Sequence, residues 1–185
     1  MKLNLGCGNN YLKGYINVDC DKTVKAEKYF DLNKIPYPLE DNCADSVICS
    51  HVIEHLSISP PEFLLECRRI LKRSGTLNLV FPNMWWWHTR FQMLLGNSLW
   101  HKWNRHHINP LIKPTWVMSS AKMIGFTITE KRTGGITGFI FRYFSDWRDA
   151  ETNLVLTRTE QSNKNPRGTL PSKEDKRSTL RSTKE

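Results

Sequence analysis

The sequence has few cysteines, and none of them forms a pair typical of a metal or redox site. The five cysteines are odd in number and include no C-x-x-C spacing, so neither a disulfide framework nor a zinc ribbon is predicted. No apolar run approaches the roughly 18 residues of a membrane-spanning helix, and no apolar signal segment precedes Cys7. We therefore expect a cytoplasmic protein with reduced thiols.

Acidic residues are absent from the middle of the chain. Residues 67–129 carry nine Lys and Arg and no Asp or Glu, whereas residues 1–66 carry ten acidic residues against six basic ones. Residues 161–185 carry seven basic residues against three acidic ones and almost no apolar side chains. This composition predicts a disordered basic tail over 161–185 and leaves nucleic-acid binding open as a function.

The remaining 160 residues fit one domain, without internal repeats, in which strands and crossovers alternate. Such alternation predicts a mainly parallel sheet that binds its ligand beyond the carboxyl ends of the strands. The predicted strands are 2–5, 15–18, 28–30, 46–49, 76–81, 126–131 and 153–157.

Two helices are predicted. The first follows Ser59, which supplies an N-cap, and it continues through Lys72 and Arg73 in its last turn until Gly75 ends it. The second covers residues 114–124. Both fit the crossovers of an α/β domain.

Residues 84–114 interrupt the alternation after the fifth strand. They hold five of the seven tryptophans and four of the six histidines. We interpret them as an aromatic and basic insert that either completes the core or forms a lid over the substrate. Its stacking surfaces would suit sugar rings, aromatic rings or anionic groups, and would also suit peripheral contact with an anionic membrane.

Three motifs at strand ends indicate a ligand site. Gly6-Cys7-Gly8 directly follows the first strand, where glycines let the backbone approach a ligand closely. Asp19 ends the second strand, where a carboxylate can accept hydrogen bonds from both hydroxyls of a ribose. Asp31 follows the third strand and could meet an adenine amino group. Together these residues predict a nucleoside-binding edge.

The motifs LNLGCG at 3–8, VD at 18–19, DL at 31–32, DSV at 45–47, SHVIEHL at 50–56 and LKRSGTL at 71–77 follow one another in a family's order. In this respect the chain resembles the class I S-adenosylmethionine (SAM)-dependent methyltransferases, type 11-like. The resemblance implies a Rossmann-like, doubly wound sheet of seven strands, the last antiparallel, with helices on both faces. It also implies SAM as cofactor, held by Asn4, Gly6, Cys7, Gly8, Asp19, Asp31, Leu32, Ser50 and His51.

Two departures from the family pattern are evident. Asn10 stands where the third glycine of the family's G-x-G-x-G loop is expected, and only 13 positions separate Gly6 from Asp19. The first crossover helix is therefore predicted to be shortened or lost. A nicotinamide dinucleotide is disfavoured on the same residues, because Tyr11 replaces the last glycine of G-x-G-x-x-G and the acidic residue comes too early.

His51, Glu54 and His55 form an H-x-x-E-H string, which is typical of one class of zinc peptidases. The string follows a buried strand beside the predicted cofactor, and no third ligand is evident. We therefore predict no metal.

The resemblance favours methyl transfer to an oxygen of a small molecule or of a glycan or lipid-linked sugar. A hydroxyl acceptor needs a general base, and His51 is the first candidate because it would lie beside the methyl group. His88 and His107 in the insert are the next candidates. An RNA methyltransferase and a non-catalytic methyltransferase-like binding protein are the alternatives; against the first, no nucleic-acid module and no N-P-P-Y-like motif is present.

Overall fold

A computed structural model describes residues 1–83, 91, 94, 108, 112–133 and 151–159. These residues build one seven-stranded sheet in the order β3-β2-β1-β4-β5-β7-β6. Its strands are β1 (Lys2–Leu5), β2 (Ile16–Asp19), β3 (Lys28–Tyr29), β4 (Ala44–Ser50), β5 (Leu71–Pro82), β6 (Phe126–Thr133) and β7 (Glu151–Arg158).

The sheet is mixed in the way that the motifs imply. Strands β1 to β5 pair in parallel, and β7 runs antiparallel to both of its neighbours, β5 and β6. Six of the described strands therefore point one way, and β7 points the other way. The predicted Rossmann-like sheet is confirmed.

Two α-helices follow, α1 (Pro60–Ile70) and α2 (Pro114–Ile124). Helix α1 begins as predicted, because Ser59 and Glu62 exchange hydrogen bonds in a capping box. Its predicted end was wrong. The chain becomes extended at Leu71, which pairs with Ala44 on β4, so Lys72 and Arg73 lie on β5 and not in the last helical turn.

The described helices cover one face of the sheet, since α1 packs against α2. Alternate strand residues beneath them are fully buried, as in Leu77 and Leu79 of β5 or Val47 and Cys49 of β4. The connection after β1 contains no helix, as the short spacing predicts, and the connection after β2 contains none either.

Most of the predicted insert lies outside the described residues, and so does the whole predicted tail, 161–185. Within the described part of the chain, no helix is both long and apolar enough to span a bilayer.

Candidate active site

The predicted site residues meet at one edge of the sheet. Strands β1 to β4 all end there, so the residues that follow them become neighbours. Strand β7 runs the opposite way and begins at this edge, with Glu151 opposite Pro82. Gly6, Asp19 and His51 are thus brought together with a residue about a hundred positions further along the chain.

The glycine loop touches the carboxylate that ends β2. Gly8 N donates to Asp19 Oδ2 over 2.8 Å, and Asp21 N donates to Asp19 Oδ1 over 3.0 Å. Each carboxylate oxygen has two acceptor sites, so capacity for a ribose diol remains. Gly8 has φ +47°, and a Cβ there would meet nothing within 4 Å. Open space therefore adjoins Gly8, as a ligand that approaches the backbone requires.

Gly6 ties the loop to the segment after β4. It has φ +66°, and a Cβ at this position would lie 2.4 Å from Val52 Cγ2. Carbon atoms of real side chains do not approach one another to 2.4 Å, so only glycine lets the loop pack on Val52. The loop is thereby held next to His51.

A buried amide network replaces the missing crossover helix. Asn4 donates both of its amide hydrogens inside the protein, to Asn10 O over 2.9 Å and to Asn17 Oδ1 over 2.8 Å. Asn17 Oδ1 also accepts from Leu12 N, and its Nδ2 donates to Leu12 O. These bonds satisfy polar backbone that a helix would satisfy itself, and they fix the loop between Gly8 and β2.

Glu27 closes this network from outside. Its Oε2 accepts from Asn17 N over 2.7 Å and from Asn17 Nδ2 over 3.0 Å, while Oε1 accepts from the Tyr11 hydroxyl. The Tyr11 bond is the largest of the effects that lower the pKa of Glu27, to about 2. Nζ of Lys25 lies over the Tyr11 ring, 4.3 Å from the ring centroid.

The other predicted cofactor residues line the same edge with different surroundings. Asp31 is half-buried, and its Oδ1 accepts from Asn33 N over 2.9 Å. Leu32 is 6% exposed and belongs to the core. Cys7 is buried, and desolvation, followed by the nearby charge of Asp19, raises the pKa of its thiol. Ser50, at the end of β4, is half-buried.

His51 lies between two carboxylates. Its Nδ1 is 3.5 Å from Glu54 Oε1 and its Nε2 is 3.5 Å from Glu151 Oε1. Desolvation raises the pKa of Glu54, although the neighbouring His55 and His51 oppose the shift. No group of three residues suited to a metal occurs within the described ranges. The other two predicted bases, His88 and His107, lie outside the described residues.

Sequence reasoning missed Glu151 and Glu27 and gave Glu54 a role only in a metal site. Glu151 carries no local signal, because its contact with His51 depends on the register between β5 and β7. Glu27, which directly precedes the short strand β3, likewise has no local sequence pattern that would predict its contacts. Only Glu54 could have been paired with His51, since the two are three positions apart.

The residues at this edge of the sheet are similar in sequence to those of a known protein family. Residues 3–79, which contain the glycine loop, Asp19 and His51, match the family model of the methyltransferase domain. Over these residues the chain is similar to that family. An uncharacterized protein of Methanocaldococcus jannaschii is 34% identical over 92 residues, which are 44% of this chain and 40% of that protein. The chain thus spans less than half of the curated relative that it matches.

Solved structures of SAM-dependent methyltransferases share this fold. A SAM-dependent methyltransferase from Archaeoglobus fulgidus aligns over 85% of both chains with a TM-score of 0.58 at 16% identity. A SAM-dependent methyltransferase from Thermotoga maritima, described as a possible histamine N-methyltransferase, aligns over 85% of this chain and 82% of its own with a TM-score of 0.61 at 15% identity. At identities of 15–16%, the similarity to these structures shows a shared fold and nothing more.

Proposed function

We propose that the protein transfers the methyl group of SAM to a hydroxyl group of a small molecule or of a glycan or lipid-linked sugar. The observation that carries this proposal is the bond from Gly8 N to Asp19 Oδ2, with open space at Gly8. A backbone that a ligand can approach and a carboxylate for a ribose diol are the groups that an adenosyl ligand needs.

The residues at this edge fit SAM by their chemistry. Gly8 would adjoin the methionine part, Asp19 would accept from the ribose hydroxyls, and Asp31 would lie near the adenine. The sulfonium is positive, and carboxylates of Asp19, Asp31, Glu54 and Glu151 share the edge, so the electrostatics favour such a ligand. SAM supplies an already activated methyl group.

The protein's own contribution is alignment and proton transfer. Holding the acceptor in line with the methyl group is worth up to roughly 7–11 kcal/mol for well-oriented reactants. His51, placed at this edge by β4, would accept the hydroxyl proton, which contributes about 10²–10⁴-fold.

The test is transfer from methyl-labelled SAM to fractions of a cell extract. We expect a labelled, ribonuclease-resistant product with the wild type and with Asp21→Asn, whose carboxylate accepts from Thr23 N and Oγ1 within its own turn. Asp19→Asn should lower the rate about 10–100-fold, because bonds to a charged acceptor contribute about 1.5–3 kcal/mol. Absence of any product would contradict the proposal, and a ribonuclease-sensitive product would move the acceptor to RNA.

A further inference from the structure

His51 has a strained backbone at the point where β4 ends. Its φ is +55°, a left-handed value that is uncommon outside glycine, and its N–H donates to Val80 O over 2.8 Å. Strain of this kind persists only where the surroundings enforce it, and it concentrates at functional sites. The turn points the imidazole to the edge that Glu54 and Glu151 share.

Glu54 is the more unusual of the two carboxylates. Its side chain is 3% exposed, and its Oε2 is buried without a hydrogen-bond partner among the described residues. Burial of a carboxylate oxygen without a hydrogen-bond partner costs free energy, so retention of Glu54 at this position calls for a functional reason. The two carboxylates lie equally far from the two ring nitrogens, but Glu54 is buried and depends on His51, whereas water can serve the exposed Glu151. We therefore infer that Glu54 favours the imidazole tautomer with the proton on Nδ1. Nε2 then keeps a free electron pair.

Glu151 faces that electron pair from β7. Its side chain is 59% exposed, and its Oε1 lies 3.5 Å from Nε2. A group that enters here meets a base and, beside it, an acceptor-only carboxylate. Two adjacent hydroxyl groups match this pair, because one can give its proton to Nε2 while the other donates a hydrogen bond to Glu151.

We propose that the acceptor is a neutral vicinal diol, such as an uncharged sugar or polyol, recognised by His51 and Glu151 together, with Glu54 as the positioning residue. This inference rests on the proposed function. In the transfer step the hydroxyl oxygen forms a bond to the methyl carbon as the sulfur–methyl bond breaks. The bonding pair stays on sulfur, S-adenosylhomocysteine leaves, and the hydroxyl proton moves to Nε2.

The charges of the site disfavour the other acceptor classes. An anionic acceptor would be repelled by Glu54 and Glu151, and by Asp19 and Asp31 along the same edge. An amine would be held between the carboxylates as ammonium, which has no free electron pair for attack. A hydroxyl group is subject to neither penalty.

The acceptor class is tested by chemical treatment of the active extract fraction. Periodate cleaves vicinal diols, so prior periodate oxidation, quenched before the assay, should lower methyl labelling at least about tenfold. Acylation of amines should leave labelling unchanged. Labelling that survives periodate would overturn the inference while leaving the proposed function intact. Labelling that acylation abolishes would point to an amine acceptor and overturn both, and absence of labelling in the untreated fraction would count against the proposed function.

The roles of the two carboxylates are tested separately. Glu151→Gln should raise the extract concentration needed for half-maximal rate about 10–100-fold. Glu54→Ala should lower the maximal rate by up to about 100-fold through misplacement of His51. The exposed Glu40→Ala is the matched control.

A spectroscopic readout needs no acceptor. Nitrogen-15 spectra of neutral His51 should show the proton on Nδ1 in the wild type and in Glu40→Ala, and a shift toward the Nε2 tautomer in Glu54→Ala. A wild-type imidazole with its proton on Nε2, or a tautomer that Glu54→Ala leaves unchanged, would contradict the positioning role.

Discussion

Replacing Gly6 by alanine tests the packing that joins the glycine loop to Val52 in the segment after β4. The new Cβ would lie 2.4 Å from Val52 Cγ2 and 3.2 Å from Cγ1. Val52 is 8% exposed and β-branched, so its side chain cannot rotate away freely. The left-handed backbone adds a penalty of about 1–2 kcal/mol, and overpacking adds about 1–3 kcal/mol. We expect Gly6→Ala to lower the free energy of unfolding by about 2–5 kcal/mol.

Gly8→Ala is the matched control, because Gly8 also has a positive φ but has open space around it. It should lose only the backbone part, about 1–2 kcal/mol. Urea unfolding of Gly6→Ala, Val52→Ala and the double variant gives the coupling free energy, which should be about 1–3 kcal/mol in favour of the pair. Equal losses at Gly6 and Gly8, together with no coupling to Val52, would refute the reasoning.

Three further predictions concern the parts that support the site. Asn17→Leu leaves Leu12 N and Asn4 Nδ2 without their buried acceptor. It should therefore lower the free energy of unfolding, measured by urea titration, by about 2–4 kcal/mol. An unchanged urea midpoint would argue against the network. Arg69→Met should cost about 3 kcal/mol, since the carboxyl group of Glu66, only 7% exposed, loses a partner 2.6 Å away; the double variant with Glu66→Gln should recover part of the loss. The pKa of Glu27 is lowered to about 2, so its contribution to stability is present above the unfolded pKa of about 4.3 and is lost as the pH falls toward about 2. In the Glu27→Gln variant the urea midpoint should therefore fall less steeply between these two pH values. A pH profile identical to that of the wild type would contradict this.

The strands and the edge where they end could be predicted from the sequence. Alternation of apolar residues sets the sheet faces, and a parallel sheet brings its carboxyl ends together whatever the connections are. That rule alone put Gly8 beside Asp19, which the 2.8 Å bond confirms. The start of α1 was equally predictable, because a capping box is a local signal at Ser59.

Other features depend on contacts that have no sequence period. The basic pair Lys72 and Arg73 before Gly75 fits a helix end, but pairing of Leu71 with Ala44 prevails and starts β5 early. The Asn17 network forms in an irregular loop, where side chains and backbone bond without a spacing rule. The approach of Glu151 to His51 requires an antiparallel register that cannot be read locally.

Calorimetric titration with SAM is the most direct test of the proposal that the protein binds SAM. The wild type and Asp21→Asn should bind one equivalent with saturable heat, and Asp19→Asn should bind about 10–100-fold more weakly. Absence of saturable heat in the wild type, or equal affinity in Asp19→Asn, would contradict a SAM site between the glycine loop and the end of β2.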